Sequence, residues 1–197
     1  EFLQCGNSVS LWHYDADGNL VDSNYPQQTL LSTAFTAFGC RDRMLSHAAN
    51  HDNPILLGDA LGLVWGAAFE KQDGKLQNIN VLGPTFFADV SLAQVEEGLK
   101  RYHDAEASIA WKIHLLDNVP SIPVCNFILF SHYLLMLHFC LTTEKLDVSA
   151  LNVTSLTVMP DGKAPSLKRD RHKIYSAEQA MLQMVRNGDL NYKESLS

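Results

Sequence analysis

His47 and His51 stand four residues apart with Asp52 beside them, so a helix through this stretch carries both imidazoles on one face, as a zinc ion requires. No third or fourth ligand follows at a recognisable spacing, and a solvated helix end before Pro54 accounts for the same residues. No metal is therefore expected. Cys40, in a chain with eight histidines, raises a second chemistry, a thiolate nucleophile with an imidazole base. It follows Gly39 at a helix end, where a packed thiol is the plainer reading, and no group that would orient a base can be named. No catalytic residue is assigned on these grounds. Nor is a cofactor expected. Gly58-Asp59-Ala60-Leu61-Gly62 lacks the lysine of a phosphate loop and precedes a strand, and neither G-x-S-x-G nor H-E-x-x-H occurs.

Aromatic residues carry a different chemistry. In LGLVWGAAFE, Leu61, Leu63, Trp65 and Phe69 share one phase of a strand, while Gly62, Gly66 and Ala68 share the other. The bulky phase faces a core, and the small phase permits close approach of a helix or of another subunit. Trp12, Leu63, Trp65 and Phe69 are the candidate ligand-lining residues, suited to a small apolar or aromatic molecule if the core is not filled. The competing reading is that they fill it.

The elements that position them follow from turn signals and periodicity. Asp17-Gly18 joins strands expected at 8–14 and 19–23, and Asp73-Gly74 joins the last two of three strands expected at 54–58, 62–70 and 76–82. Helical spacing runs through roughly 28–48, 91–102, opened by Ser91, and 104–117. The apolar run 122–141 is nearly long enough to span a bilayer, but Asn126, Ser131, His132 and His138 surround it with polar groups. It is read as the central buried helix of a soluble domain, with its polar groups bonded to neighbours. Fold class is α+β, with a five-stranded antiparallel sheet and helices packed on one face. Two strands, a helical stretch and three antiparallel strands is the element order of PAS domains, with a GAF-like fold as the alternative.

Composition bounds what such a domain does. The 197 residues carry a net charge of −7, with 46% hydrophobic and 19% charged residues, an ordinary globular balance. Acidic residues dominate 1–165 (9 Lys and Arg against 18 Asp and Glu), so this body repels phosphate backbones, while 166–197 is basic (6 against 4). Lys168, Arg169, Arg171, His172 and Lys173 sit in a Pro- and Gly-bearing stretch, a solvated linker or a phosphate contact. Cys5, Cys40, Cys125 and Cys140 form no C-x-x-C pair and read as reduced thiols of a cytoplasmic protein. The boundary is drawn between a domain at 1–160 and a linker with connector helices at 161–197. In the latter, Ser176 and Gln179 form a capping box, Ile174, Met181 and Val185 line an apolar face, and Gly188 ends the helix.

YSAEQAMLQMVRNGDLNYKESLS resembles the connector that leads out of the sensor domain in bacterial AraC/XylS-type transcription regulators. LWHYDADGNLVDSN, ILLGDALGLVWGAAFE, VLGPTFF and LLMLHFCLTTEKLDVS look like recurring blocks of those sensors, in the same order. The resemblance implies a PAS-like, homodimeric signal-input domain without enzymatic activity. It would bind a small-molecule effector and contact DNA only through a helix-turn-helix module absent from this chain. Ile174, Met181 and Val185 would then serve as connector and dimer contacts. Two other readings compete: a cysteine- or metal-dependent hydrolase using Cys40 or His47 and His51, and a dimerisation module without ligand.

Overall fold

The computed structural model describes residues 9–26, 28–88, 90–101 and 109–155. The chain divides after Val158, and these residues all belong to the first unit, Glu1–Val158. The expected boundary at 160/161, and the linker and connector beyond it, lie outside the described residues.

Both Asp-Gly turns form as their chemistry dictates. Between β1 (Leu11–Asp15) and β2 (Leu20–Ser23), Gly18 takes a φ of 80°, and the Asp15 carboxylate accepts the backbone N–H of Asp17 at 3.0 Å and of Asn19 at 2.8 Å. Between β4 (Val64–Gln72) and β5 (Lys75–Thr85), Asp73 and Gly74 both have positive φ, the pairing whose twist matches the flanking strands. With β3 (Ile55–Gly58), these strands pair antiparallel in the order β2-β1-β5-β4-β3.

The sheet differs from expectation at one edge. A sixth strand, β6 (Asn152–Ser155), pairs parallel with β3, Ile55 opposite Asn152 and Gly58 opposite Ser155, so the sheet is six-stranded and mixed. The short run Asn-Val-Thr-Ser has no alternating apolar pattern. Its pairing comes from a neighbouring edge that needs partners for its backbone groups.

The helical stretch at 28–48 is two helices, α1 (Gln28–Ala37) and α2 (Cys40–Ala48), broken where Gly39 takes a left-handed φ of 73°. In α3 (Leu92–Arg101) Ser91 and Gln94 form the capping box: the Gln94 side chain accepts the Ser91 N–H at 2.8 Å and the Ser91 hydroxyl accepts the Gln94 N–H at 3.3 Å. The next helix is α4 (Ile109–Asn118). Leu31, Phe35, Met44, Val95, Leu99 and Leu115 from these four helices join Trp12, Trp65 and Phe69 in one core on one face of the sheet.

α5 (Phe127–Thr142) is placed differently from the buried central helix expected at 122–141. It starts at Phe127 because the Asn126 side chain accepts the N–H of Ile128 at 2.7 Å and caps it. It lies on the other face of the sheet: a Cβ on Gly66 would meet Leu134 Cδ2 at 2.9 Å and Phe130 Cε1 at 3.0 Å. The small phase of β4 therefore admits a helix, and the helices occupy both faces. Only one side of α5 is covered, through Phe127, Phe130, Ser131, Leu134 and His138. Among the described residues, no helix is long and apolar enough to cross a membrane.

Candidate functional site

Trp12, Leu63, Trp65 and Phe69 are brought together on the core face and packed tightly. Their exposures are 0%, 1%, 0% and 2%. Trp12 meets Trp65 edge-on with ring centroids 6.1 Å apart and stacks on Tyr25 at 5.6 Å, while Phe35 lies 4.9 Å from Trp65. Both indoles have partners: Trp12 donates to the Gly83 carbonyl at 2.6 Å and Trp65 to the Asp59 carboxylate at 3.2 Å. Ile174, Met181 and Val185 lie outside the described residues.

Asp59 is the group that strand and motif patterns did not single out. It is fully buried at the end of β3, where Oδ1 accepts the backbone N–H of Leu61 at 2.9 Å and of Leu63 at 3.0 Å, closing the turn into β4. Burial pushes its carboxyl up to about 7, against three hydrogen bonds that favour the anion. The available signal was an aspartate three residues before a glycine, a common side-chain-closed turn, and nothing in that pattern reports burial.

Cys40 is fully buried at the start of α2. Burial and then the Asp59 carboxylate push its thiol well above the ordinary value, which leaves it protonated at neutral pH and weakens it as a nucleophile. α2 ends at Ala48, so His51 lies beyond the helix rather than on a shared helical face, although the two rings still meet with centroids 4.7 Å apart. His47 Nε2 is 2.9 Å from the Asn53 carbonyl, and Asp52 is tied to Lys71 Nζ at 2.6 Å, so these groups already have protein partners. Burial lowers the His47 pKa, with the Asn53 hydrogen bond opposing. Among the described residues no group of three or more His, Cys, Asp or Glu is placed to hold a metal ion.

An open concavity among the described residues lies elsewhere, between α1 and α4. It is a groove of about 760 Å³ lined by Pro26, Leu30 and Trp111 with Thr29, Thr33 and His114 among its polar neighbours. No lining residue is Asp, Glu, Lys or Arg. Several of its polar groups are held internally: Thr33 donates to the Thr29 carbonyl at 2.8 Å and Asn118 to the His114 carbonyl at 2.8 Å. What faces the groove is the half-buried Trp111 ring, the apolar walls and a few neutral polar atoms. Sequence patterning singled out the strand aromatics and gave no sign of this groove, because it arises from two helices about eighty residues apart in the chain.

No family model, no curated protein and no solved structure matches this chain.

Proposed function

We propose that the chain is the PAS-like signal-input module of a bacterial AraC-type transcription regulator, a homodimer that binds a small uncharged effector in the α1/α4 groove. DNA contact would belong to a separate helix-turn-helix module, reached through the stretch containing Ile174, Met181 and Val185. The observation that carries the ligand part is the groove itself: about 760 Å³, within the range of small-molecule sites, with Trp111 in its wall and no Asp, Glu, Lys or Arg among its lining residues. The fold part is supported by two strands, two helices and three antiparallel strands that close on β1. A ligand that binds one arrangement of α1 and α4 better than another shifts the population of that arrangement, which is the physical content of sensing.

Three tryptophans make this testable. Trp12 and Trp65 are fully buried while Trp111 sits in the groove, so a groove ligand changes the emission of Trp111 selectively. A library of neutral aromatic and amphipathic metabolites, screened by thermal shift, should yield a compound that also quenches tryptophan emission. Thr33→Arg should abolish both responses and Trp111→Phe should abolish the quenching. A library without hits, or a hit indifferent to Thr33→Arg, would count against the groove. The regulator part stands or falls on the reading frame that follows Ser197: one that encodes no helix-turn-helix overturns it.

The buried Cys40 thiol and the paired Asp52 weaken the competing hydrolase reading.

A further inference from the structure

α5 contains no Asp, Glu, Lys or Arg over its sixteen residues, about 24 Å of helix. One side is buried on the sheet. On the opposite side Leu129, Met136 and Phe139 are 47%, 37% and 48% exposed, with His132 and Cys140 exposed between them. Val124, just before the helix, is 54% exposed and extends the patch. Leu129, His132, Met136 and Phe139 alternate three and four residues apart. That spacing keeps a straight apolar seam facing a second helix rather than drifting round the cylinder.

We infer that this seam is the contact between two copies of the chain, with the two α5 helices antiparallel about a two-fold axis at the level of Leu134. The inference rests on the homodimer part of the reading above and is independent of what the groove binds. Three features favour a second copy. The chain carries a net charge of −7, so two copies repel through most surfaces, and the α5 seam is a face on which they meet without charge. In the antiparallel arrangement each helix N-terminus, capped by Asn126, lies beside the other's C-terminus, so the macrodipoles oppose. The exposed Glu144, just past that C-terminus, then approaches the positive end of the second helix. An isologous contact also needs a self-complementary patch: Leu129 meets Phe139 of the second copy, and His132 meets its Met136. A membrane surface fits less well, because an interfacial helix needs cations flanking its apolar face and α5 has none.

Sedimentation equilibrium of the whole chain at micromolar concentrations tests the interface. The expected result is a dimer whose dissociation constant rises about a hundredfold or more in Met136→Glu, because a charge would be buried in an apolar seam. Phe139→Lys should behave alike. Both positions are partly exposed in the protomer, so circular dichroism and effector binding should be unchanged. A short bis-maleimide, used in a Cys5→Ser background, should couple Leu129→Cys of one copy to the native Cys140 of the other. With Cys140 alone it should not, since antiparallel pairing holds the two thiols about 18 Å apart along the axis. A monomeric wild type overturns both this interface and the homodimer reading. A dimer that survives Met136→Glu and Phe139→Lys overturns the interface only, and efficient Cys140 to Cys140 coupling overturns the antiparallel arrangement.

Discussion

The carboxylate of Asp59 accepts the indole N–H of Trp65 at 3.2 Å, both groups fully buried, at the turn that carries β3 into β4. The contact joins the element order legible from the sequence to an ionisable group whose state depends on burial. It makes stability depend on pH.

The Asp59 carboxyl has a folded-state pKa of about 7 against an ordinary 3.8, so the native state retains a proton that the unfolded chain releases. Its contribution is fully present below about pH 4 and is lost as the pH rises to about 7, a decline on the order of a few kcal/mol. Asp59→Asn should flatten the urea midpoint between pH 4.5 and 7.5. It should also lower stability at pH 4.5 by about 1–3 kcal/mol, because an amide that serves Leu61 and Leu63 presents its N–H to the indole donor. An unchanged pH slope in the variant would exclude Asp59 as its source.

His138 produces the opposite slope. It is fully buried on the sheet-facing side of α5, neither ring nitrogen has a hydrogen-bond partner, and Glu144 Oε2 is 3.7 Å away, too far to bond. Burial lowers its pKa, with Glu144 opposing. The unfolded chain therefore takes up the proton first, and stability falls as the pH drops below about 6.5. His138→Leu, which removes an unsatisfied polar group, should leave stability at pH 7.5 within about 1 kcal/mol of wild type and raise it at pH 5.5. The double variant with Asp59→Asn separates the two slopes. A variant less stable at both pH values would show that the imidazole contributes packing that leucine does not replace.

Gly66 is the place where α5 touches the sheet. Leu134 Cδ2 stands 2.9 Å and Phe130 Cε1 3.0 Å from where its Cβ would be, so Gly66→Val forces both side chains away despite valine's preference for strands. A loss of about 1–3 kcal/mol is expected. Urea unfolding at constant slope measures it, and a stabilised variant would mean that α5 moves freely over β4.

The cysteines should differ sharply in reactivity. Cys140 is exposed, while Cys40 is fully buried with its thiol held protonated. Peptide mapping after a brief maleimide pulse on the folded protein should find Cys140 modified and Cys40 protected until denaturant is added. Equal labelling rates would contradict the packing of α2 on the sheet.

Much of this architecture was legible in the residues. Asp17-Gly18 and Asp73-Gly74 specify tight turns because a side chain hydrogen bond and a glycine φ are local properties. The two phases of LGLVWGAAFE follow from the geometry of a strand, so Trp65 and Phe69 fall on the core face and Gly66 on the face that admits a helix. The polar groups of 122–141 did not behave as expected: Ser131 and His138 are buried, but the Ser131 hydroxyl and both His138 ring nitrogens lack hydrogen-bond partners, while His132 is exposed.

What the pattern left open depended on distant chain. The parallel pairing of β6 with β3 joins residues about a hundred apart, and no local signal in Asn152–Ser155 announces it. An apolar helix reads alike whether one side or both sides are covered, so the exposure of the outer face of α5 became visible only with its neighbours in place. The pKa of Asp59 and the groove beside Trp111 belong to the same class. Turns, strand phases and caps are set within a few residues. Burial, desolvation and concavity are properties of surfaces that the chain assembles from remote parts, and the fold alone decides them.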